Sequence, residues 1–141
     1  MILISHRGNL KGPDPQKENS PSYIITALSK GYDVEIDVWF VESKLYLGHD
    51  KPQYQIELQF LQNPKLWCHC KNINALEYLI DHKIRCFFHM TDDVTLTSDG
   101  YLWTFPGKKL TKKSICVMPE VYPNQEYNFA AGVCSDFIDD L

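Results

Sequence analysis

The segment Asp33-Val34-Glu35-Ile36-Asp37-Val38-Trp39 decides the fold and the site expected for this chain of 141 residues. Its β-branched and aromatic residues are typical of a strand. Residues two apart on a strand point to the same side, so Glu35 and Asp37 share one face, while their apolar neighbours indicate that the other face is buried. In a central strand both carboxylates would be buried too, and buried charges need a cation or hydrogen-bond donors. A metal ion fits that need.

Two histidines end short apolar runs on either side of this strand. His6 follows Ile2-Leu3-Ile4, and His49 follows Leu45-Tyr46-Leu47. Either histidine alone would equally suit an ordinary polar strand end. Together with paired carboxylates that hold a divalent metal, one imidazole can take a proton and the other can give one during cleavage of a phosphodiester. The combination therefore favours a catalytic site.

Four short elements, in this order, resemble the glycerophosphodiester phosphodiesterase family. They are His6-Arg7-Gly8, Glu18-Asn19-Ser20, Glu35-Ile36-Asp37 and Gly48-His49-Asp50. The resemblance covers the first third of the chain well and the remainder only by the rhythm of its strands. It implies a (β/α)8 barrel with its site at the carboxyl ends of the strands. It also implies that His6 and His49 are the acid–base pair and that Glu35 and Asp37 are metal ligands.

The same resemblance implies that Arg7 contacts the phosphate and that Glu18 forms a polar wall of the site. Family members usually carry a third metal-binding glutamate, in a Glu-x-Lys pair on the next strand. In this chain the corresponding residues are His69 and Lys71. We predict a metal ligand and a phosphate contact there; a core histidine and a lysine snorkelling outward are the alternative. Nitrogen is a poor calcium ligand, so Mg²⁺ or Mn²⁺ is favoured over Ca²⁺.

Further polar residues at strand ends are expected to support this site. Asp50 can orient His49, and His89 ends an aromatic run. Glu120 and Asp136 follow the last two strong strand patterns. Because the carboxyl ends of barrel strands line the active site, all four are predicted as supporting groups. For His89, an ordinary hydrogen-bonded histidine is an equal alternative.

The rest of the chain carries strand patterns with little helix between them. We predict strands at 1–6, 33–40, 45–48, 66–70, 84–89, 101–105, 114–118 and 132–135, helices near 20–30 and 74–82, and a short helix at most around 56–61. A (β/α)8 barrel usually needs about 250 residues. The chain is therefore predicted to be one α/β domain, residues 1–141, forming a reduced TIM-like (β/α) barrel of about seven strands with few covering helices. A doubly wound α/β sheet is the alternative, disfavoured by the lack of a Gly-rich phosphate loop.

Charge and cysteine content indicate which partners and which cellular compartment to expect. The net charge of −4 argues against a nucleic-acid binder, which would show a basic face. The five cysteines are an odd number, lie in apolar runs and accompany no secretory signal, so free thiols in a reducing cytoplasm are expected. No run of about 18 apolar residues exists, so no membrane span is expected.

The predicted function is metal-dependent hydrolysis of a small, glycerophosphodiester-like phosphodiester. Two alternatives stay open: a barrel that binds a phosphorylated ligand without turnover, and a lyase that forms a cyclic phosphate. The later strands lack covering helices, and a bare sheet face would leave apolar surface in water. We therefore expect the chain to form at least a homodimer.

Overall fold

A single mixed sheet of ten strands, curled into an open half-barrel, dominates the computed structural model, which describes all 141 residues. The strands are β1 Ile2–His6, β2 Asp33–Val41, β3 Lys44–Leu47, β4 Tyr54–Ile56, β5 Leu66–Cys70, β6 Cys86–Phe87, β7 Val94–Leu96, β8 Leu102–Thr104, β9 Ser114–Val117 and β10 Gly132–Ser135. The three α-helices are α1 Pro21–Ser29, α2 Leu58–Leu61 and α3 Ile73–Asp81, and 3-10 turns occupy Pro119–Val121 and Ile138–Asp140. None of these helices is long and apolar enough to cross a membrane.

Parallel pairing runs through the middle of the sheet in the order β6-β5-β2-β1-β10-β9-β8. Antiparallel pairs extend it, with β3 on the second half of β2, β4 on β3, and β7 on β8. The register sets His6 beside Glu35 and Asp37 beside His69. Residues far apart in sequence thus reach the same edge of the sheet.

The predicted reduced TIM-like barrel is wrong, because the sheet neither closes nor carries a covering layer of helices. β6 has only two residues, and it does not pair with β8. Parallel strands usually connect through a crossover helix of a dozen or more residues. Here the connections after β6, β8 and β9 contain only turns, the antiparallel β7 and a 3-10 turn. The doubly wound alternative fails for the same lack of helices.

The helices instead share one apolar core with β2, β3 and β5. This core contains sixteen buried residues, among them Ile24 of α1, Leu61 of α2 and Leu79 of α3. Asn72 caps the start of α3, since its side chain accepts a hydrogen bond from the backbone N–H of Ala75 at 3.0 Å. Ser20 precedes α1 but makes no side-chain capping bond, and proline at the first position begins that helix.

A second cluster lines the concave face of the sheet. Its members are Ile4, Trp67, Phe87, Trp103, Ile115, Val117 and Cys134. Four of them stand two positions before predicted site residues: Ile4 before His6, Trp67 before His69, Phe87 before His89 and Cys134 before Asp136. Because alternate residues of a strand share a face, this cluster is the floor beneath the site.

Candidate metal and acid–base site

A cavity of about 960 Å³ opens above this floor, at the carboxyl ends of the parallel strands. Ten of the predicted site residues line it: His6, Arg7, Glu18, Glu35, His49, Asp50, His69, Lys71, His89 and Asp136. Asp37 lies just beneath the surface, with a side chain that is fully buried. Glu120 is the other predicted residue that does not line the cavity. The structure therefore brings the motifs of both ends of the chain to one place.

Glu35, Asp37 and His69 form a cluster whose donor atoms all lie within 4.8 Å of one another. Nδ1 of His69 is 3.2 Å from Oδ1 of Asp37 and 3.8 Å from Oε1 of Glu35. Adjacent ligands of a small cation bound at about 2.1 Å lie roughly 3 Å apart, so these separations suit a divalent ion. Moreover, Oε2 of Glu35 and Oδ1 of Asp37 are buried without a hydrogen-bond partner. Buried oxygens of this kind need a positive partner, and the donor set fits one.

Cationic and amide groups surround Asp37. Asn19 donates to its Oδ2 at 2.9 Å and accepts from its backbone N–H at 2.9 Å. Nε of Arg7 lies 3.0 Å from the same Oδ2, although its N–H is not aligned as a hydrogen bond. Nζ of Lys71 is 3.6 Å from Oδ1. Burial opposes ionisation, but the nearby rings of His49 and His69 and the charge of Arg7 hold the pKa of Asp37 well below its usual range.

The surroundings of Glu35 disfavour its ionised form, in contrast to those of Asp37. Its side chain is as deeply buried, but fewer donors reach it, and Nε2 of His6 approaches its Oε2 only to 3.7 Å. Burial, together with the negative charge of Asp37, raises the pKa of Glu35. Two carboxylates side by side therefore differ: one is held firmly ionised, and the other lacks compensation for its charge. A cation between them would supply that compensation.

His6 forms a hydrogen-bonded pair with Asp136 across the β1–β10 boundary. Its Nδ1 lies 2.7 Å from Oδ1 of Asp136, and Asn9 donates to the same oxygen at 2.8 Å. Burial favours the neutral ring, but the bond to Asp136 and the charge of Glu35 outweigh it and raise the pKa of His6. Glu120 supports this pair from behind, because it accepts hydrogen bonds from the backbone N–H of Asp136 and the hydroxyl of Ser135, both at 3.0 Å.

His49 stands at the more open rim of the cavity, with 42 % of its side chain exposed. Its Nε2 accepts from Nη2 of Arg7 at 3.4 Å, and its Nδ1 lies 3.4 Å from Oδ2 of Asp37. This arrangement requires the proton on Nδ1, and the Nε2 lone pair accepts the N–H of Arg7. Asp50, expected to orient this ring, is 93 % exposed and only approaches Nε2 to 3.6 Å. Gly48 shapes the turn, since a Cβ there would collide with the carbonyl of Lys51.

The residues that sequence reasoning missed are two fully buried asparagines, Asn9 and Asn19. Asn9 joins Glu18 to Asp136 through its amide, and Asn19 clamps Asp37. A sequence signal existed for both. Asn9 directly follows the His-Arg-Gly element, and Asn19 is the middle residue of Glu-Asn-Ser. Asn19 also takes a positive φ of 62°, a conformation that asparagine tolerates better than most residues.

His89 extends the site sideways along an aromatic stack. Its ring lies parallel to that of His69, with centroids 4.4 Å apart, and meets Phe105 edge-on at 4.8 Å. Its Nδ1 is buried without a hydrogen-bond partner. Burial, with the nearby charges of His69 and Lys71, lowers the pKa of His89 to about 4. The ring is therefore neutral at physiological pH and acts as an aromatic surface.

No family model, curated protein or solved structure matches this chain. What the site can do must therefore be argued from its own geometry. That geometry combines an acidic cluster suited to a cation, two imidazoles held by carboxylates or by arginine, and two further cationic side chains around one cavity.

Proposed function

We propose that this chain is a metal-dependent hydrolase of small phosphodiesters, with glycerophosphodiester-like molecules as its substrates, as the resemblance of its motifs suggests. One observation carries the proposal. Oxygens of Glu35 and Asp37 lie 3.8 Å and 3.2 Å from Nδ1 of His69, and each carboxylate keeps one buried oxygen without a hydrogen-bond partner, in the cavity that His6 and His49 also line. This set of groups suits cleavage of a phosphate ester better than any reaction that needs only one acid or base.

Glu35, Asp37 and His69 are the residues that would hold the divalent cation, with Mg²⁺ or Mn²⁺ favoured over Ca²⁺ because one donor is nitrogen. When bound, such an ion supplies Lewis-acid polarisation of a phosphoryl oxygen. Arg7 and Lys71 add positive charge at the cavity wall, where each side chain is less than one-fifth exposed. Their charges would attract and orient the phosphate.

The hydrogen bonds favour different roles for the two histidines. Asp136 accepts from Nδ1 of His6 and stabilises its protonated ring, so His6 suits the general acid that protonates the leaving alkoxide through Nε2. His49 carries its proton on Nδ1, facing Asp37, and its Nε2 lone pair can take a proton once the long 3.4 Å contact from Arg7 is released. His49 therefore suits the base that deprotonates the attacking water.

The test is an assay of the purified protein against a panel of phosphodiesters, with Mn²⁺ and with a chelator, followed by phosphorus NMR. We expect phosphomonoester products in the presence of metal only. A cyclic phosphate product would replace the hydrolase by a lyase. Binding of phosphodiesters without turnover of any panel member would replace it by a binding protein.

Variants of the two histidines sharpen this test. His6→Ala and His49→Ala should each lower turnover by roughly 10²–10⁴-fold, because general acid–base groups contribute that much. His82→Ala is the matched control, since His82 is exposed on the far end of α3 and bonds only to the carbonyl of Tyr78. Near-normal activity in either site variant, with circular dichroism showing a folded chain, would contradict the assigned roles.

A further inference from the structure

The cavity has two walls of different chemistry. All of its charged lining residues come from the first ninety residues and from Asp136. The wall formed by β8, β9 and the segments that follow them is entirely apolar. It consists of Trp103, Phe105, Pro106, Val117 and Met118. The substrate must therefore face ionic groups on one side and hydrocarbon on the other.

This apolar wall reaches the metal cluster without a break. The ring of His69 stacks on that of His89, and His89 meets Phe105 edge-on, with centroids 4.4 Å and 4.8 Å apart. Met90, at the rim beside His89, is 76 % exposed. A group attached to a phosphate beside His69 would thus lie directly on aromatic and methionine side chains. Burying apolar surface of this kind from water is favourable in proportion to the area covered.

Met118 is held toward this wall by an unusual backbone. Its φ of 49° lies in the left-handed region, which a bulky side chain rarely adopts. Its N–H donates to the carbonyl of Cys134 at 2.7 Å, and its own carbonyl accepts from Val121 at 3.0 Å, so the surroundings fix this conformation. Strained residues of this kind cluster at ligand sites. Methionine is flexible and polarisable, which suits contact with apolar groups of variable shape.

A glycerol group alone would gain nothing from such a wall, since its hydroxyls need polar partners. We propose that the phosphodiester taken by this site carries an apolar substituent, alkyl or aryl, on one ester oxygen, and that this substituent lies along Phe105 and Met118. The inference rests on the proposed function, because it places the phosphate at the cluster of Glu35, Asp37 and His69. It goes beyond that function by dividing the substrate into a polar and an apolar half.

Rates on a series of glycerophosphate esters with methyl, butyl, octyl or phenyl as the second ester group test this proposal. With Mn²⁺ present, kcat/KM should rise by roughly fourfold for each methylene that the wall covers. The phenyl arm separates an aryl preference from an alkyl one. Equal rates on all four esters would overturn the proposal while leaving the hydrolase intact. Absence of cleavage of every ester would contradict the hydrolase itself.

A binding measurement keeps the proposal testable even without turnover. Calorimetric titration with methyl phosphate and with octyl phosphate, below its micelle concentration and with Mn²⁺ present, should show much tighter binding of the octyl compound. Equal affinities would overturn the proposal. Preferential octyl binding without cleavage of any ester would retain the apolar subsite and reject only the hydrolase.

Single substitutions show which side chains cause the preference for octyl over methyl esters. Met118→Gln keeps the length of the side chain but adds a polar end, so the octyl-to-methyl ratio should fall severalfold, whereas Met118→Leu should preserve it. Leu96→Gln is the matched control, because Leu96 lies on β7 outside the cavity and is 67 % exposed. A ratio that falls equally in the control, or stays unchanged in Met118→Gln, would overturn the placement on this wall.

Discussion

Replacing Glu35 by glutamine should stabilise the metal-free protein and abolish its response to metal. The folded-state pKa of Glu35 is raised by burial and by Asp37. Its ionised form therefore opposes folding at every pH above the unfolded value of about 4.3. Glutamine cannot ionise, so it avoids this cost. The variant's free energy of unfolding should therefore exceed that of the wild type by an amount that grows as the pH rises from about 4 toward neutrality. A stabilising change at a buried polar site is unusual, which makes the outcome diagnostic.

Asp37→Asn should do the opposite to stability. The pKa of Asp37 is lowered in the folded chain, so its charge stabilises the fold above the unfolded pKa, and this contribution is lost as the pH falls. The substitution leaves Arg7 and Lys71 without the carboxylate that lies 3.0 and 3.6 Å away. Breaking a buried pair costs about 3–5 kcal/mol. Because both cations are partly exposed, we expect about 3 kcal/mol, the lower end of that range.

These differences are large enough for a thermal melt. For a domain of this size, 1 kcal/mol moves the melting temperature by about 3 °C. Removing the uncompensated charge at Glu35 should gain about 1 kcal/mol, which is within the cost of a buried unsatisfied group. In chelator, Glu35→Gln should therefore melt about 3 °C above the wild type, and Asp37→Asn about 9 °C below it. Metal at a hundred times its Kd should add about 2.7 kcal/mol, or roughly 8 °C, to the wild type alone.

Circular dichroism melts of the three proteins, with chelator and with Mn²⁺, give all six values. A destabilised Glu35→Gln in chelator would refute the electrostatic reasoning about this carboxylate. A metal-induced rise that survives in both variants would refute the metal site.

Three further outcomes are expected. In calorimetric titrations, His69→Glu should bind Ca²⁺ more tightly than the wild type, and His69→Ala should bind all metals more weakly. Unchanged affinity in both variants would show that His69 is a core histidine and not a metal ligand. Asp136→Asn removes a carboxylate charge 2.7 Å from Nδ1 of His6, so the imidazole NMR titration and the alkaline loss of activity should both move to lower pH; a titration that does not move rejects this pairing. Light scattering at micromolar concentration should give at least a dimer, because large apolar side chains such as Ile25 and Ile73 are more than half exposed. A monodisperse monomer would contradict this.

Local patterns predicted much of the site, because alternation on a strand depends only on neighbours in sequence. The shared face of Glu35 and Asp37 follows from their spacing of two, and the structure has their ligand atoms in one cluster. The contact of His6 with Asp136 could not be deduced that way, since 130 residues separate them and the register of β10 on β1 decides it. The buried asparagines escaped notice because their role depends on loops meeting strands.

The fold was less predictable than the site. The strands predicted at 101–105, 114–118 and 132–135 correspond to β8, β9 and β10, but none was predicted for β4 or β7, which add short antiparallel pairs at the margins of the sheet. The pattern at 84–89 suggested a full strand, whereas only Cys86 and Phe87 pair. A closed barrel needs full-length strands at its seam and crossover helices between its strands. The family resemblance led us to expect such a barrel, but the connections after β6, β8 and β9 contain no α-helix.

Because the sheet is open on one side, few contacts fix the width of the cavity. Between the segment around β6 and the β7–β8 hairpin, the contacts include one backbone bond from Ser98 to Cys86, three side-chain hydrogen bonds and the stack of Phe87 on Trp103. Rings slide over each other at little cost, whereas a closed barrel would have to break a ladder of backbone hydrogen bonds before it could widen. The charged and the apolar walls stand on opposite sides of these contacts. We therefore expect the distance between the two walls to change at a lower energetic cost than it would in a closed barrel.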